Sequence, residues 1–232
     1  MRKIFSYASL IVTTLVLGAA ALLVSPIDPK GEYAHRIARL WAAIHLRVNG
    51  IVVCLEASDN MPEPPFLLMS NHQSALDIFA LLSGLPVSFK FIAKRELFRI
   101  PVFGWAMKRA GYISIDRNNP REALKAIEES AQKIKDGTVV LIFPEGHRSR
   151  NGRLQPFMKG GFSLASRAGV PVVPLAITGS FAVQPKGSII SPPERKGRVT
   201  IRVGKPVVVE GKGLSYKAEL MGEVRASIER LL

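Results

Sequence analysis

The sequence predicts an α/β protein: a single mixed-sheet domain over residues 50–232, preceded by a two-helix membrane-anchoring segment over residues 1–49. Three observations carry the prediction. Short apolar runs, residues 65–69 and 138–143 among them, alternate with stretches at helical spacing, as strands do when helices cover them. Polar and charged residues follow directly on those runs, at the strand ends where α/β folds place their chemistry. The first long stretch is apolar and uncharged, unlike the rest of a chain that carries a formal net charge of +14.

Residues 4–24 contain no charged side chain. As a helix they extend about 31 Å, enough to cover a bilayer core. Ala19-Ala20-Ala21 resembles a signal-peptide cleavage site, but the apolar run continues through Leu22-Leu23-Val24. Ser25-Pro26-Ile27-Asp28-Pro29 makes a turn. A second helix follows over residues 31–49, with Ala34, Ile37, Ala38, Trp41, Ile44, His45 and Val48 on one stripe. His35 is assigned to the surface of that helix and His45 to its stripe. Basic residues flank the apolar helix on both sides, so counting them does not choose an orientation for a single span. A helical hairpin lying in one leaflet puts both flanks at the same anionic surface. The alternative for the second helix is that its stripe packs on the globular core.

The body reads in order as follows. Residues 50–56 form a strand and residues 59–65 a turn-rich connector. Residues 65–69 form a buried strand, and residues 78–82 a helix stopped by Gly84 and Pro86. Residues 87–93 form another strand. The segment 94–110 mixes Lys94, Arg95, Arg99, Lys108 and Arg109 with Phe98, Phe103 and Trp105, and ends in a short helix over residues 102–110. It is either a partly buried helix edged by snorkelling cations or a basic amphipathic rim that meets lipid headgroups and a phosphate-bearing substrate. A strand over 112–117, a helix over 120–135 and a central strand over 138–143 come next. Then follow a helix over 159–168, a strand over 169–177, a loop over 178–197, strands over 198–203 and 206–209, and a closing helix over 215–232.

Charge of this size calls for an anionic partner: a membrane surface, a phosphorylated substrate or nucleic acid. The single cysteine, Cys54, excludes an intrachain disulfide. It lies in a strand-like run and reads as a small packed hydrophobe, not a nucleophile. His72 and His147 have no thiol or second histidine at metal-ligand spacing, so no metal site is expected.

The candidate chemistry lies in Asn71-His72-Gln73-Ser74-Ala75-Leu76-Asp77. In a continuous helix His72 and Asp77 would point roughly 140° apart. With His72 still in the turn before the helix, the Asp77 carboxylate can fold back towards the imidazole. Such a pair suits proton abstraction from an alcohol, a contribution of about 10²–10⁴ in rate. The plain alternative is that Asn71 or Ser74 caps the helix and Asp77 complements its dipole. At other strand ends, Arg117 and Arg148 could grip a phosphate, and Glu145 could accept hydrogen bonds from a polyol.

Four stretches stand in a fixed order: Asn71-His72-x4-Asp77, Gly111-Tyr112-Ile113-Ser114-Ile115-Asp116-Arg117, Phe143-Pro144-Glu145-Gly146-His147-Arg148-Ser149 and Val170-Pro171-Val172-Val173-Pro174. Together they resemble the four motif blocks of the glycerolipid acyltransferases, and most closely the bacterial 1-acylglycerol-3-phosphate acyltransferases. Phe91-Ile92-Ala93-Lys94-Arg95-Glu96-Leu97 is also similar to that group. The resemblance implies that His72 takes the proton of a glycerol hydroxyl and that Asp77 orients it. It implies phosphate contacts for Arg117, Arg148 and Lys94, and glycerol contacts for Glu145 and Gly146. It further implies a thioester donor, acyl-CoA or acyl-carrier protein, with lysophosphatidic acid as acceptor, no acyl-enzyme and no metal or redox cofactor. The implied location is a bacterial inner membrane, with the active site on its cytoplasmic side. His147 stands where the family usually has Thr, which leaves another lysophospholipid or lyso-aminolipid open as acceptor. The rival of a different class is a non-catalytic basic protein that binds membrane or nucleic acid. The resemblance itself favours bilayer, lipid and thioester as partners, with no nucleic acid.

Overall fold

The computed structural model describes residues 2–116, 118–185, 195–209 and 213–232. Seven strands form one mixed sheet: β1 (Ile51–Glu56), β2 (Leu67–Ser70), β3 (Lys90–Lys94), β4 (Ile113–Ile115), β5 (Val140–Ile142), β6 (Val172–Thr178) and β7 (Gly197–Val203). The spatial order is β1-β7-β6-β2-β5-β3-β4. Every neighbouring pair is parallel except β6 and β7. The α/β class and the single mixed sheet are thus as the sequence predicts.

Strand alternation builds two cores. Along β2 and the residue before it, Phe66 and Leu68 point to one face, Leu67 and Met69 to the other, and all are fully buried. The Leu68 face packs on α2 (Glu32–Asn49) and α3 (Leu76–Gly84). The Leu67 face packs on α5 (Pro120–Lys135), α6 (Lys159–Ala168) and α8 (Lys217–Leu231). A sheet buried on both faces needs the near-continuous apolar runs that the sequence supplies.

The remaining helices are α1 (Arg2–Val24), α4 (Phe103–Arg109) and α7 (Ser180–Val183). α1 and α2 form a hairpin laid on the body. Ser6, Leu10 and Ala21 of α1 are buried, whereas Ile4, Phe5, Ile11, Val12, Leu15, Val16 and Leu23 are exposed. Trp41 Nε1 donates to Thr14 Oγ1 at 3.0 Å, fixing the two helices to each other. Asp28 caps α2, its two carboxylate oxygens accepting from Glu32 N at 2.8 Å and Ala34 N at 2.9 Å. The buried Lys90 of β3 donates to Gly31 O at 3.1 Å and lies 3.2 Å from Glu32 Oε1, so the hairpin turn is tied to the sheet. Gly18 of α1 sits where a Cβ would come 2.6 Å from Val102 Cγ1, so only glycine permits this approach to α4. Val102 has φ 61° and ψ −60°, a region that costs a β-branched residue about 1–3 kcal/mol.

Four local expectations are corrected. His35 is buried, not superficial, with its ring edge-on to Phe89 at 5.1 Å and its Nδ1 3.3 Å from Tyr112 Oη. The buried face of α2 is Ala34, His35, Ala42, His45, Leu46 and Asn49, rotated from the expected stripe; Ile44 and Val48 are only partly buried. The expected strand at 206–209 shrinks to one antiparallel bridge between Val172 and Val207, since Pro206 has no N–H to extend the ladder. Part of the expected loop at 178–197 is the helical turn α7, entered through Gly179 at φ 85°.

Candidate active site

Register places the site. β2 and β5 are parallel neighbours with Met69 opposite Ile142. Three residues on from each come His72 and Glu145, so the two strand-end loops emerge side by side. β3 flanks β5, with Phe91 opposite Leu141, and delivers Lys94 at the same end.

His72 Nδ1 lies 2.8 Å from Asp77 Oδ2. The same oxygen accepts from Gln73 N at 2.7 Å and Ser74 N at 2.9 Å, and Asp77 is fully buried. The chain therefore curls around one carboxylate before α3 begins, which is how a spacing of five brings the two side chains together. A carboxylate at Nδ1 keeps the ring proton there and leaves the lone pair on Nε2. The imidazole stacks on Phe143, with centroids 3.9 Å apart and planes 13° apart. Ser74 does cap the helix, accepting from Leu76 N at 3.1 Å and donating to Gln184 O at 2.7 Å. Asn71 does not cap. Its amide pairs instead with both N and O of Ile177, at 2.7 and 2.9 Å, and so sews the end of β2 to β6.

Glu145 is 1% exposed. Its Oε1 accepts from His72 N at 2.6 Å and its Oε2 from Gln155 N at 2.7 Å. One carboxylate thus bridges the His72 loop and the far side of its own loop. Burial pushes its pKa up to about 7, against the pull of those two N–H groups. Gly146 has φ 75°, which returns the chain after Glu145. The loop is closed by Ser149 N donating to His72 O at 2.8 Å and by Gln73 Nε2 donating to Gly152 O at 2.8 Å.

A cavity of about 500 Å³ opens beside this pair. His72, Lys94, Gly146, His147 and Arg148 line one part of it; the rest is apolar, walled by α1, α2, α3 and α4. Aromatic rings run along it: Phe143 to Phe91 at 6.2 Å, then Phe91 to Tyr112 at 5.7 Å. Next to Tyr112 the wall is built of small side chains, Ala21, Ala34 and Ala110. Burial holds the Arg148 guanidinium below its ordinary pKa, and the charge of Asp77 opposes that.

Of the residues singled out in the sequence, His72, Asp77, Lys94, Glu145, Gly146 and Arg148 converge here. Both oxygens of Glu145 are engaged with backbone, and it does not line the cavity. Arg117 lies outside the described residues. Sequence reasoning passed over Phe143, Gln155 and the strand-sewing role of Asn71. Asn71 and Phe143 stand inside the motif blocks at strand ends, which was their one signal; Gln155, in the loop before α6, had none.

A model of the acyltransferase family matches residues 52–178, more than half of the chain. A protein of Pseudomonas aeruginosa named 1-acyl-sn-glycerol-3-phosphate acyltransferase is 33% identical over all of this chain and 90% of its own length. A chloroplastic protein of Arabidopsis thaliana with the same activity in its name is 37% identical over 86% of this chain; the chain spans 55% of that relative's length. The crystal structure of the 1-acyl-sn-glycerophosphate acyltransferase PlsC from Thermotoga maritima is similar with a TM-score of 0.82 and 27% identity, covering 99% of this chain and 95% of that one. The family suggested by four short blocks is the one found. With its model running from β1 through β6 and a bacterial relative matched along the whole sequence, the chain belongs to the acyltransferase family.

Proposed function

We propose that the protein transfers an acyl chain from a thioester donor to the free hydroxyl of 1-acylglycerol-3-phosphate, forming phosphatidic acid. The observation that carries this is a His–Asp pair, 2.8 Å apart, set where an apolar cavity meets Arg148 and Lys94. The names of the relatives support the acceptor.

In this reading His72 Nε2 accepts the hydroxyl proton as the oxygen attacks the thioester carbonyl. Asp77 holds the imidazole and stabilises the imidazolium. The tetrahedral adduct collapses, the C–S bond breaks, and the imidazolium returns its proton to the departing sulfur. No side chain is acylated, and no metal or redox cofactor takes part. Arg148 and Lys94 hold the acceptor's phosphate, with Arg117 as a further candidate, and Gly146 lies by its glycerol. Acyl-CoA and acyl-carrier protein both fit as donors. The aromatic and alanine-lined part of the cavity takes an acyl tail.

We further infer that α1 lies in one leaflet. Its buried stripe runs from Ser6 to Ala21 along α2 and α4, so a spanning orientation would drag the charged body into hydrocarbon. Its outer face is apolar over the same length, and 17% of its most apolar window is buried.

The test is a mass-spectrometric acyl-transfer assay on detergent-purified protein. It offers lysophosphatidic acid and a panel of other lysolipids with each donor. Phosphatidic acid formed by wild type and abolished in His72→Ala is the expected result. Transfer to another acceptor would keep the mechanism and point to the exposed His147 as the cause. Equal turnover by both proteins would overturn the role of His72.

A further inference from the structure

The segment 95–109 is a part of the cavity wall that also faces outward with both apolar and cationic side chains. A 3-10 turn, Arg95–Arg99, leads into α4. Phe103, Ala106 and Met107 line the cavity. On the other side Trp105 is 53% exposed, and Ile100, just before the helix, is 44% exposed. Arg99, Lys108 and Arg109 are exposed, with no acidic partner within 4.0 Å among the described residues. Their neighbours differ: Arg95 pairs with Asp116 at 3.2 Å and Lys94 with Glu96 at 3.8 Å.

Tryptophan flanked by unpaired cations suits the boundary between headgroups and acyl chains, where the ring is half wet and the cations meet lipid phosphate. The surface also borders α1, since α1 and α4 pack together with Gly18 against Val102, and α1 carries its own exposed apolar face. α4 is a single helix thick, with cavity on one side and this surface on the other. The strained Val102 stands at its entry, and a residue held at positive φ relaxes when the turn around it opens.

We propose that residues 95–109 form a second lipid contact, seated in the headgroup layer of an anionic bilayer, and that the lipid acceptor enters the cavity past α4. The entry step rests on the acceptor being a lipid, as proposed above; the seating does not. An acidic carrier protein would match the cations, but not an exposed Trp and Ile next to a helix whose outer face is apolar.

Trp41→Phe leaves Trp105 as the sole tryptophan of the full chain. This protein is mixed with phosphatidylglycerol-containing vesicles, with and without bromine-labelled acyl chains, and vesicle binding is read in parallel by flotation. The expected result is flotation with a blue-shifted Trp105 emission that the bromolipid quenches. Flotation with Trp105 unshifted and unquenched overturns the proposal while leaving the α1 anchor intact. Failure to float, or a Trp105 shift induced by carrier protein and not by vesicles, overturns it as well. For entry, Trp105→Ser and the pair Lys108→Ser, Arg109→Ser should lower kcat/KM several-fold for vesicle-embedded acceptor. They should leave turnover of a short-chain, monomeric acceptor unchanged. An equal loss on both acceptors, or none on either, removes the entry route. A protein that transfers no acyl chain to any acceptor would undo the proposed function, and the fluorescence would still decide the seating.

Discussion

The His72 loop and the N-terminal hairpin border the same cavity but are held by different forces. The loop is knotted by short polar contacts, with Asp77 taking three N–H groups and Glu145 bridging two loops. The hairpin is held mostly by apolar packing, with Thr14–Trp41 and the Lys90 tie as its main polar fastenings. Directional bonds fix one imidazole to within tenths of an ångström, which proton transfer requires. Non-directional packing fixes the volume between helices and leaves it open to change by single methyl groups.

Breaking the knot should therefore cost rate, and filling the packing should change selectivity. The largest effect is expected from Asp77→Asn. The amide cannot hold His72 Nδ1–H, Gln73 N and Ser74 N in the same way, and turnover should fall by about 10²–10⁴. Steady-state kinetics with thermal unfolding as a folding control measures this.

Glu145→Gln should come next. One oxygen remains, but an NH2 group then faces a backbone N–H, and the His72 loop shifts. We expect kcat to fall by roughly 10–100-fold with little change in the KM of the acceptor. A glycerol-contacting Glu145, as the family resemblance implies, would raise that KM instead.

In the packed region, Ala34→Leu extends a side chain into the alanine-walled part of the cavity. Transfer of long acyl chains should fall several-fold relative to shorter ones, read by competition between donors of different length. Loss of activity with every chain length alike would separate the alanine cluster from the tail site.

The last effect is read on stability instead of rate, as its dependence on pH. Burial lowers the pKa of both His35 and His45 from 6.5 to about 4. The unfolded chain takes up protons below pH 6.5 that the folded chain refuses until about pH 4, so stability is lost as pH falls through that window. Each histidine contributes roughly 3 kcal/mol of loss at the acid end. Glu145 works the other way, its raised pKa favouring the folded state as pH falls from about 7 towards 4.5. His45→Leu, which keeps an apolar neighbour for Phe79, should flatten the fall in melting temperature between pH 6.5 and 4.5.

The apolar runs and their punctuation sufficed to read the class, the helices at 120–135 and 159–168, the two-helix amino terminus and the polar strand ends. These depend on periodicity and on turn residues, which are local. His72 and Asp77 were legible as a pair because five residues fit one turn. The bond from His72 N to Glu145 was not, because it depends on the register of β2 against β5 across 73 residues of chain. The burial of His35 was hidden for the same kind of reason: a histidine beside a helix stripe reads as surface until Phe89 and Tyr112, from distant parts of the chain, close over it. The sequence by itself determined which stretches bury themselves and which polar side chains stand at the strand ends, through composition and spacing. Tertiary structure alone decided that Glu145 clamps two loops, that Asn71 sews strands, and that four helices leave an apolar cavity beside one imidazole. Each of these needs atoms far apart in sequence to meet, and only the packing of the whole sheet brings them together.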